Sequence, residues 1–240
     1  TQVHQINGQI AAQQERYPDA IVSFDAMLKE EDITEADREQ VTFTLAQLYM
    51  VTEKYQTAVN LLENWFQTAQ NPNPGAYFWL CQGYIQLEKF AQAIEPCTST
   101  IRVAQERELD VKESWVRAVI ITYQQNNDLV EASDWIKFAL INWPKRDYWI
   151  QYVSMLSQRG LEKDELATYE IAYNQGFLTR ESEVVRMAQM YQFNQIPYKA
   201  VKVLEKGFAD GIIEENRKNL ELLANVYTLA RDYSLSLIHI

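Results

Sequence analysis

Residues Glu181–Glu214 read ESEVVRMAQMYQFNQIPYKAVKVLEKGFADGIIE. The first half is apolar at Val184, Met187, Ala188 and Tyr191, the spacing that puts side chains on one helical face. Ile196 and Pro197 interrupt that series, and a second one follows at Ala200, Leu204 and Phe208. Small residues stand at Ala188, Ala200 and Gly207, where two antiparallel helices must approach closely. The stretch is a hairpin of two helices, and the rest of the chain reads as copies of it.

The copies can be counted from the start of each second helix. A ring, proline or leucine is followed three residues later by a small residue at Tyr17/Ala20, Tyr55/Ala58, Phe90/Ala93, Leu129/Ala132, Pro197/Ala200 and Tyr233/Ser236. A degenerate copy fits at Glu162/Glu165, with Tyr169 and Ala172 at its later core positions. The first helices agree independently. Their close-packing position holds Gly8, Ala46, Cys81, Ile120, Val153, Ala188 and Ala224. Three residues on stand Ala11, Tyr49, Tyr84, Tyr123, Leu156, Tyr191 and Tyr227, and five tyrosines in seven copies are not a chance stripe. A period near 34 residues with short insertions resembles a tetratricopeptide (TPR) array. That resemblance implies an all-α, superhelical solenoid of antiparallel helix hairpins, about six and a half repeats long. The expected repeats are 1–34, 39–72, 74–109, 112–145, 146–179, 181–215 and an incomplete 217–240, all in one domain spanning 1–240. Glu30–Thr34 and Gln70–Gly75 carry turn chemistry, Asp147 and Thr179 are expected N-caps, and Pro144 ends a second helix.

Bulk composition excludes several classes. With 47% hydrophobic residues the chain can bury a sizeable core, and only 7 Gly and 6 Pro argue against a sandwich or barrel. A net charge of −11 argues against nucleic acid and against an anionic membrane surface, both of which need a basic face. No apolar run is long enough to span a bilayer. The chain opens at Thr1 inside a helical pattern, so its start says nothing about compartment. The tail at 235–240, LSLIHI, matches the translation of a transposon end used in sequencing libraries and is read as non-native, which removes His239 from any functional argument.

The inventory for catalysis is poor. His4 stands alone in a terminal helix, with no nucleophile or base to complete a constellation. There is no metal-ligand spacing and no glycine-rich phosphate loop, so no cofactor is expected. Cys81 and Cys97 belong to one hairpin. Two buried thiols packed as small hydrophobes, about one turn out of direct opposition, is the simpler reading. A disulfide is the alternative in an oxidising compartment. The tryptophans Trp65, Trp115, Trp135, Trp143 and Trp149 fall at or beside packing positions.

The informative surface is the inner groove lined by first helices. The position after the small residue holds Gln9, Gln47, Gln82, Ile121, Ser154, Gln189 and Asn225. Neighbouring positions add Gln5, Gln13, Gln86, Gln124, Gln125, Gln158 and Gln192, with Phe43, Phe78, Trp79 and Phe193 interleaved. Arg117, Arg186 and Glu221 are the charges expected there. An amide both donates and accepts, so a ladder of amides can pair with the backbone of a bound segment while aromatics anchor it. Equally, Gln is a good helix former on a wet surface. The expected partner-binding set is Gln9, Phe43, Gln47, Phe78, Trp79, Gln82, Gln86, Gln189, Gln192 and Phe193. The Lys and Asn set with which chaperone-cofactor TPRs grip a C-terminal carboxylate is missing.

Several strings resemble one TPR family more closely. They are TLAQLY (44–49), KYQTAVNLLENWF (54–66), NPNPGAY (71–77), KESW (112–115), DYWIQ (147–151), NQGFLT (174–179), AQMYQFNQIPYKAVKVLEKGFADGIIE (188–214) and NLELLANVY (219–227). They are similar to the TPR accessory protein encoded with TonB–ExbB–ExbD systems in Gram-negative bacteria. The IPYKAVKVLEKG and DGIIE strings are the most specific, because packing alone is not expected to require them. The resemblance implies a non-catalytic, periplasmic scaffold in TonB-dependent uptake, acting by contact with a protein or peptide segment or with components of the TonB complex. A generic TPR adaptor in envelope assembly and a regulatory domain of a larger enzyme are the competing readings.

Overall fold

The computed structural model describes residues 2–230. These residues form thirteen α-helices and no strand: α1 (Gln2–Gln13), α2 (Tyr17–Leu28), α3 (Glu35–Val51), α4 (Tyr55–Thr68), α5 (Pro74–Gln86), α6 (Phe90–Glu106), α7 (Glu113–Gln125), α8 (Leu129–Asn142), α9 (Arg146–Gln158), α10 (Glu162–Asn174), α11 (Glu181–Phe193), α12 (Pro197–Ala209) and α13 (Arg217–Leu229). The even-numbered helices start at Tyr17, Tyr55, Phe90, Leu129, Glu162 and Pro197, where the repeat series puts them. The degenerate copy at Glu162 is therefore a full helix. The pair Tyr233/Ser236, the tail 235–240 and His239 lie outside the described residues.

One turn closes every hairpin. Glu15, Glu53, Glu88, Asn127, Gly160 and Gln195 all take the left-handed conformation, with φ between 56° and 68°. The next residue's N–H then reaches back to the carbonyl five residues earlier, as from Lys54 to Tyr49 (2.8 Å) and from Lys89 to Tyr84 (2.9 Å). This satisfies an orphan carbonyl at the end of the first helix. Only Gly160 has the residue that this backbone favours.

The chain divides into two compact units, 1–135 and 136–240. In the first, α1 to α7 pack as successive hairpins, each second helix also covering the next first helix. Its N-terminal core joins Ala11, Ala20, Phe24 and Met27 to Val41, Leu45 and Leu48. The second unit has its own core, in which Tyr169, Ala172, Met187, Ala188, Tyr191, Ala200 and Leu204 are buried with Val226 and Tyr227. In the first hairpin the close-packing residue of the first helix meets the eighth residue of the second. Gly8 lies against Phe24, and a methyl at Gly8 would come within 2.7 Å of that ring.

A second device ties neighbouring hairpins together. Four of the five first-helix tyrosines reach a carboxylate on the preceding second helix, in each case its ninth residue. Tyr49 donates to Asp25 (3.2 Å), Tyr84 to Glu63 and Tyr227 to Glu205 (2.6 Å), and Tyr191 pairs with Glu170. Burial, with the acid beside it, pushes the Tyr84 phenol up to about 12 and raises those of Tyr49 and Tyr191. The sequence pattern behind this ladder, an acid eight residues after the second helix begins, is present in Asp25, Glu63, Glu170 and Glu205.

Three expectations change. Asp147 and Thr179 are not N-caps, since the caps fall on Lys145 and Arg180. At α11 the Glu183 carboxylate accepts from the N–H groups of Thr179 and Arg180 (both 3.1 Å), so a side chain inside the helix does the capping. The DGIIE string is also structural. Gly211 needs its positive φ of 70°, and Ile213 is buried against Gly207. Likewise Lys199 of the PYKA string bonds Glu170 (2.6 Å) and lies over the Tyr191 ring. These residues are held by packing, so they identify a family less sharply than the sequence suggests.

Gly8→Ala should lower unfolding free energy by about 1–2 kcal/mol in urea titrations despite alanine's better helix propensity, because the Phe24 ring is buried and cannot yield. The raised Tyr84 phenol means the folded chain holds a proton that the unfolded chain releases. Its contribution is complete below pH 10 and is lost as pH rises through 10 towards 12. Tyr84→Phe should cost about 1.5 kcal/mol at neutral pH and flatten that alkaline slope, read by denaturation at stepped pH.

Candidate functional site

The first helices of the first unit turn one face away from their hairpin partners. Taken six and three residues before the close-packing residue, and one and five after it, this face holds Gln2, Gln5, Gln9 and Gln13 on α1, and Gln40, Phe43, Gln47 and Val51 on α3. On α5 it holds Gly75, Phe78, Gln82 and Gln86, and on α7 Ser114, Arg117, Ile121 and Gln125. Arg117 is the one charge and there is no acid, in a chain carrying 33 Asp and Glu. Where α5 and α7 meet, the face deepens into an open cleft of about 310 Å³, lined by Phe78, Gln82, Ile85, Gln86, Ser114, Arg117, Ala118 and Ile121. Three of the expected binding residues therefore converge: Phe78 and Gln82, both half-buried, and the exposed Gln86.

Cys81, next to Gln82, fixes the wall of this cleft. It is joined to Cys97 of α6 by a disulfide, with a Cα–Cα distance of 4.8 Å. The expectation of two separate thiols is thus corrected. These are the close-packing residue of the first helix and the eighth residue of the second, the same pair that brings Gly8 to Phe24, so they oppose each other directly rather than one turn apart. Both sulfurs are buried, and the buried Thr122 hydroxyl of α7 lies 3.4 Å from Cys97 Sγ, which can only accept once it is oxidised.

The second unit has a cleft of about 310 Å³ between the end of α9, the start of α10 and α11. Gln189 and Phe193 line it, and Phe193 is 72% exposed. Sequence reasoning missed its charged wall. Glu165 occupies the buried position that is alanine in other second helices, and it accepts from Arg186 at 2.6 Å. Arg186 also lies over the Tyr169 ring, whose phenol is raised chiefly by burial. An acid at a small-residue position, with an arginine on the next first helix, was the available signal.

The remaining expected residues line neither cleft. Gln9 is exposed on α1, and Gln47, Trp79 and Gln192 are half-buried. Phe43 packs its ring against Trp65, 5.0 Å between centroids, and so serves its own hairpin. His4 lies 3.5 Å from Glu30. Among the described residues no three or more His, Cys, Asp or Glu side chains converge as metal ligands, and no helix is long and apolar enough to cross a membrane.

No protein-family model matches the chain, and no curated protein does. Solved structures do. MamA matches over 70% of this chain and 94% of its own, with a TM-score of 0.57 and 14% identity. MamA 41-end from Desulfovibrio magneticus RS-1 matches over 72% and 93%, with a TM-score of 0.57 and 10% identity. A chain of the Naa15/Naa10 structure bound to HypK-THB matches over 97% of this chain and 35% of its own, with a TM-score of 0.66 and 12% identity. The chain has the all-α, TPR-type solenoid fold. At these identities the likeness is one of fold alone.

Reduction of the Cys81–Cys97 bond, which closes a separation of 16 residues, should lower unfolding free energy by about 3 kcal/mol. Urea unfolding with and without reductant checks this, and coincident midpoints would mean that the bond is not formed.

Proposed function

We propose that this chain is a non-catalytic protein-interaction scaffold that holds an extended partner segment along the amide-rich face of its first helices. The convergence of Phe78, Gln82 and Gln86 in one open cleft carries the reading. Amides there can pair with a partner's main chain in both directions, and Phe78 and Ile121 supply anchoring surface. The Gln189 and Phe193 cleft of the second unit repeats the combination. That the Naa15/Naa10 structure, alike in fold, is of a complex bound to HypK-THB supports partner binding on this architecture.

The wider role we propose is that of an accessory component of a TonB-dependent energy-transduction or uptake system, in the periplasm of a Gram-negative bacterium. Its support is the resemblance of the strings quoted above, together with a buried disulfide, which belongs to an oxidising compartment. Cross-linking in cells followed by mass spectrometry tests the partner. Recovery of TonB, ExbB, ExbD or an outer-membrane receptor is the expected result, and recovery of envelope-assembly factors alone would replace this role with that of a general adaptor. For the groove, Gln82→Ala combined with Gln189→Ala should weaken binding of the recovered partner about tenfold, with circular dichroism unchanged. Unaltered affinity would refute it.

A further inference from the structure

The sequence places three charges on the groove, and the structure treats them differently. Arg186 is neutralised by Glu165 at 2.6 Å, and Glu221 by Arg217 at 2.7 Å. Arg117 has no ion pair or hydrogen bond among the described residues, although it lines the α5–α7 cleft. No acid shares that cleft, and none stands on the inner-face positions of α1, α3, α5 or α7. The distinction of Arg117 is its place: it is the one cation on the inner-face positions of α1, α3, α5 and α7. The polar side chains that line the cleft with it are the uncharged Gln82, Gln86 and Ser114.

We propose that Arg117 reads one acidic side chain, Asp or Glu, within the extended segment that the groove holds. The inference rests on the groove reading and adds the partner's chemistry to it. A guanidinium offers two parallel N–H groups to a carboxylate, and such charge-assisted bonds are about twice as strong as neutral ones. The surplus acid elsewhere on the chain does not forbid this, because charges more than about 8 Å apart are screened at physiological ionic strength. The bound acid lies inside the segment rather than at its end. Amide positions extend the inner face past the cleft lining, at Gln47 on α3 and at Gln125 at the end of α7, so the segment is taken to run past Arg117. Phe78 and Ile121, the latter 42% exposed, flank Arg117 with apolar surface. The recognised feature is therefore an acid next to an apolar side chain.

The test uses pools of C-terminally amidated decapeptides with a fixed central Leu-Glu and randomised polar flanks. Matched pools carry Gln in place of Glu, or Gln with a free C-terminal carboxylate. Fluorescence anisotropy should show the Glu pool bound about tenfold more tightly than the amidated Gln pool, with the preference weakening as salt is raised. Arg117→Gln should abolish the preference, and Arg117→Glu should reverse it towards a Lys pool. Because Arg117 is exposed, circular dichroism should be unchanged in both variants. Equal binding of the Glu and Gln pools, with sensitivity to Gln82→Ala retained, would overturn the role of Arg117 and leave the groove reading standing. Tightest binding of the free-carboxylate pool would overturn it in favour of a chain terminus. Binding of no pool would overturn both.

Discussion

Everything in this structure depends on how closely the two helices of a hairpin can approach. The close-packing residue of the first helix meets the eighth residue of the second, as Gly8 meets Phe24 and Cys81 meets Cys97. When both are large the helices must spread, and when one is Gly8 or Ala46 its partner can fill the space. The fully buried Ala20, Ala58, Ala93 and Ala200 do the same work one turn earlier in the second helix. Hairpins of equal spacing then stack with a common register, and the first helices present one face repeatedly. The groove is thus a by-product of packing, and most of its residues, Phe43 against Trp65 apart, are amides or small polar groups turned away from the hairpin partner.

The tyrosine–carboxylate ladder acts on a different link. Burial of apolar side chains makes two hairpins adhere, yet it is non-directional. A phenol that must find an acid on the preceding helix selects a single register. Four such contacts recur at the same pair of repeat positions. Where the ninth residue of α6 is Thr98 instead of an acid, the Cys97–Thr122 contact joins α6 to α7.

The hairpin starts were legible because a period seen several times averages out local irregularity. Even Glu162, with no ring and no small residue, was found by spacing from its neighbours. What single copies do was less visible. The Cys81–Cys97 opposition was misjudged by one turn, although Gly8 and Phe24 hold the same two positions. The Glu165–Arg186 pair escaped because each residue looks anomalous alone. The IPYKA and DGIIE strings looked free of packing duties, since a local alphabet does not reveal that Ile213 folds back on Gly207. In the groove, the residue types were legible, but which of them share a cleft was not. That depends on where α5 and α7 converge, and Phe43 was lost to Trp65.

The inner face has a property that its amide content confers. Glutamine does not titrate, and arginine keeps its charge throughout the range in which proteins fold. The remainder of the surface carries most of the 33 carboxylates and loses its negative charge as the medium acidifies. The chain therefore changes its net charge with its surroundings while the donors and acceptors on the inner face of the first unit stay constant. A compartment whose acidity follows the outside medium would alter this protein's colloidal behaviour well before it altered the chemistry of the face that meets a partner.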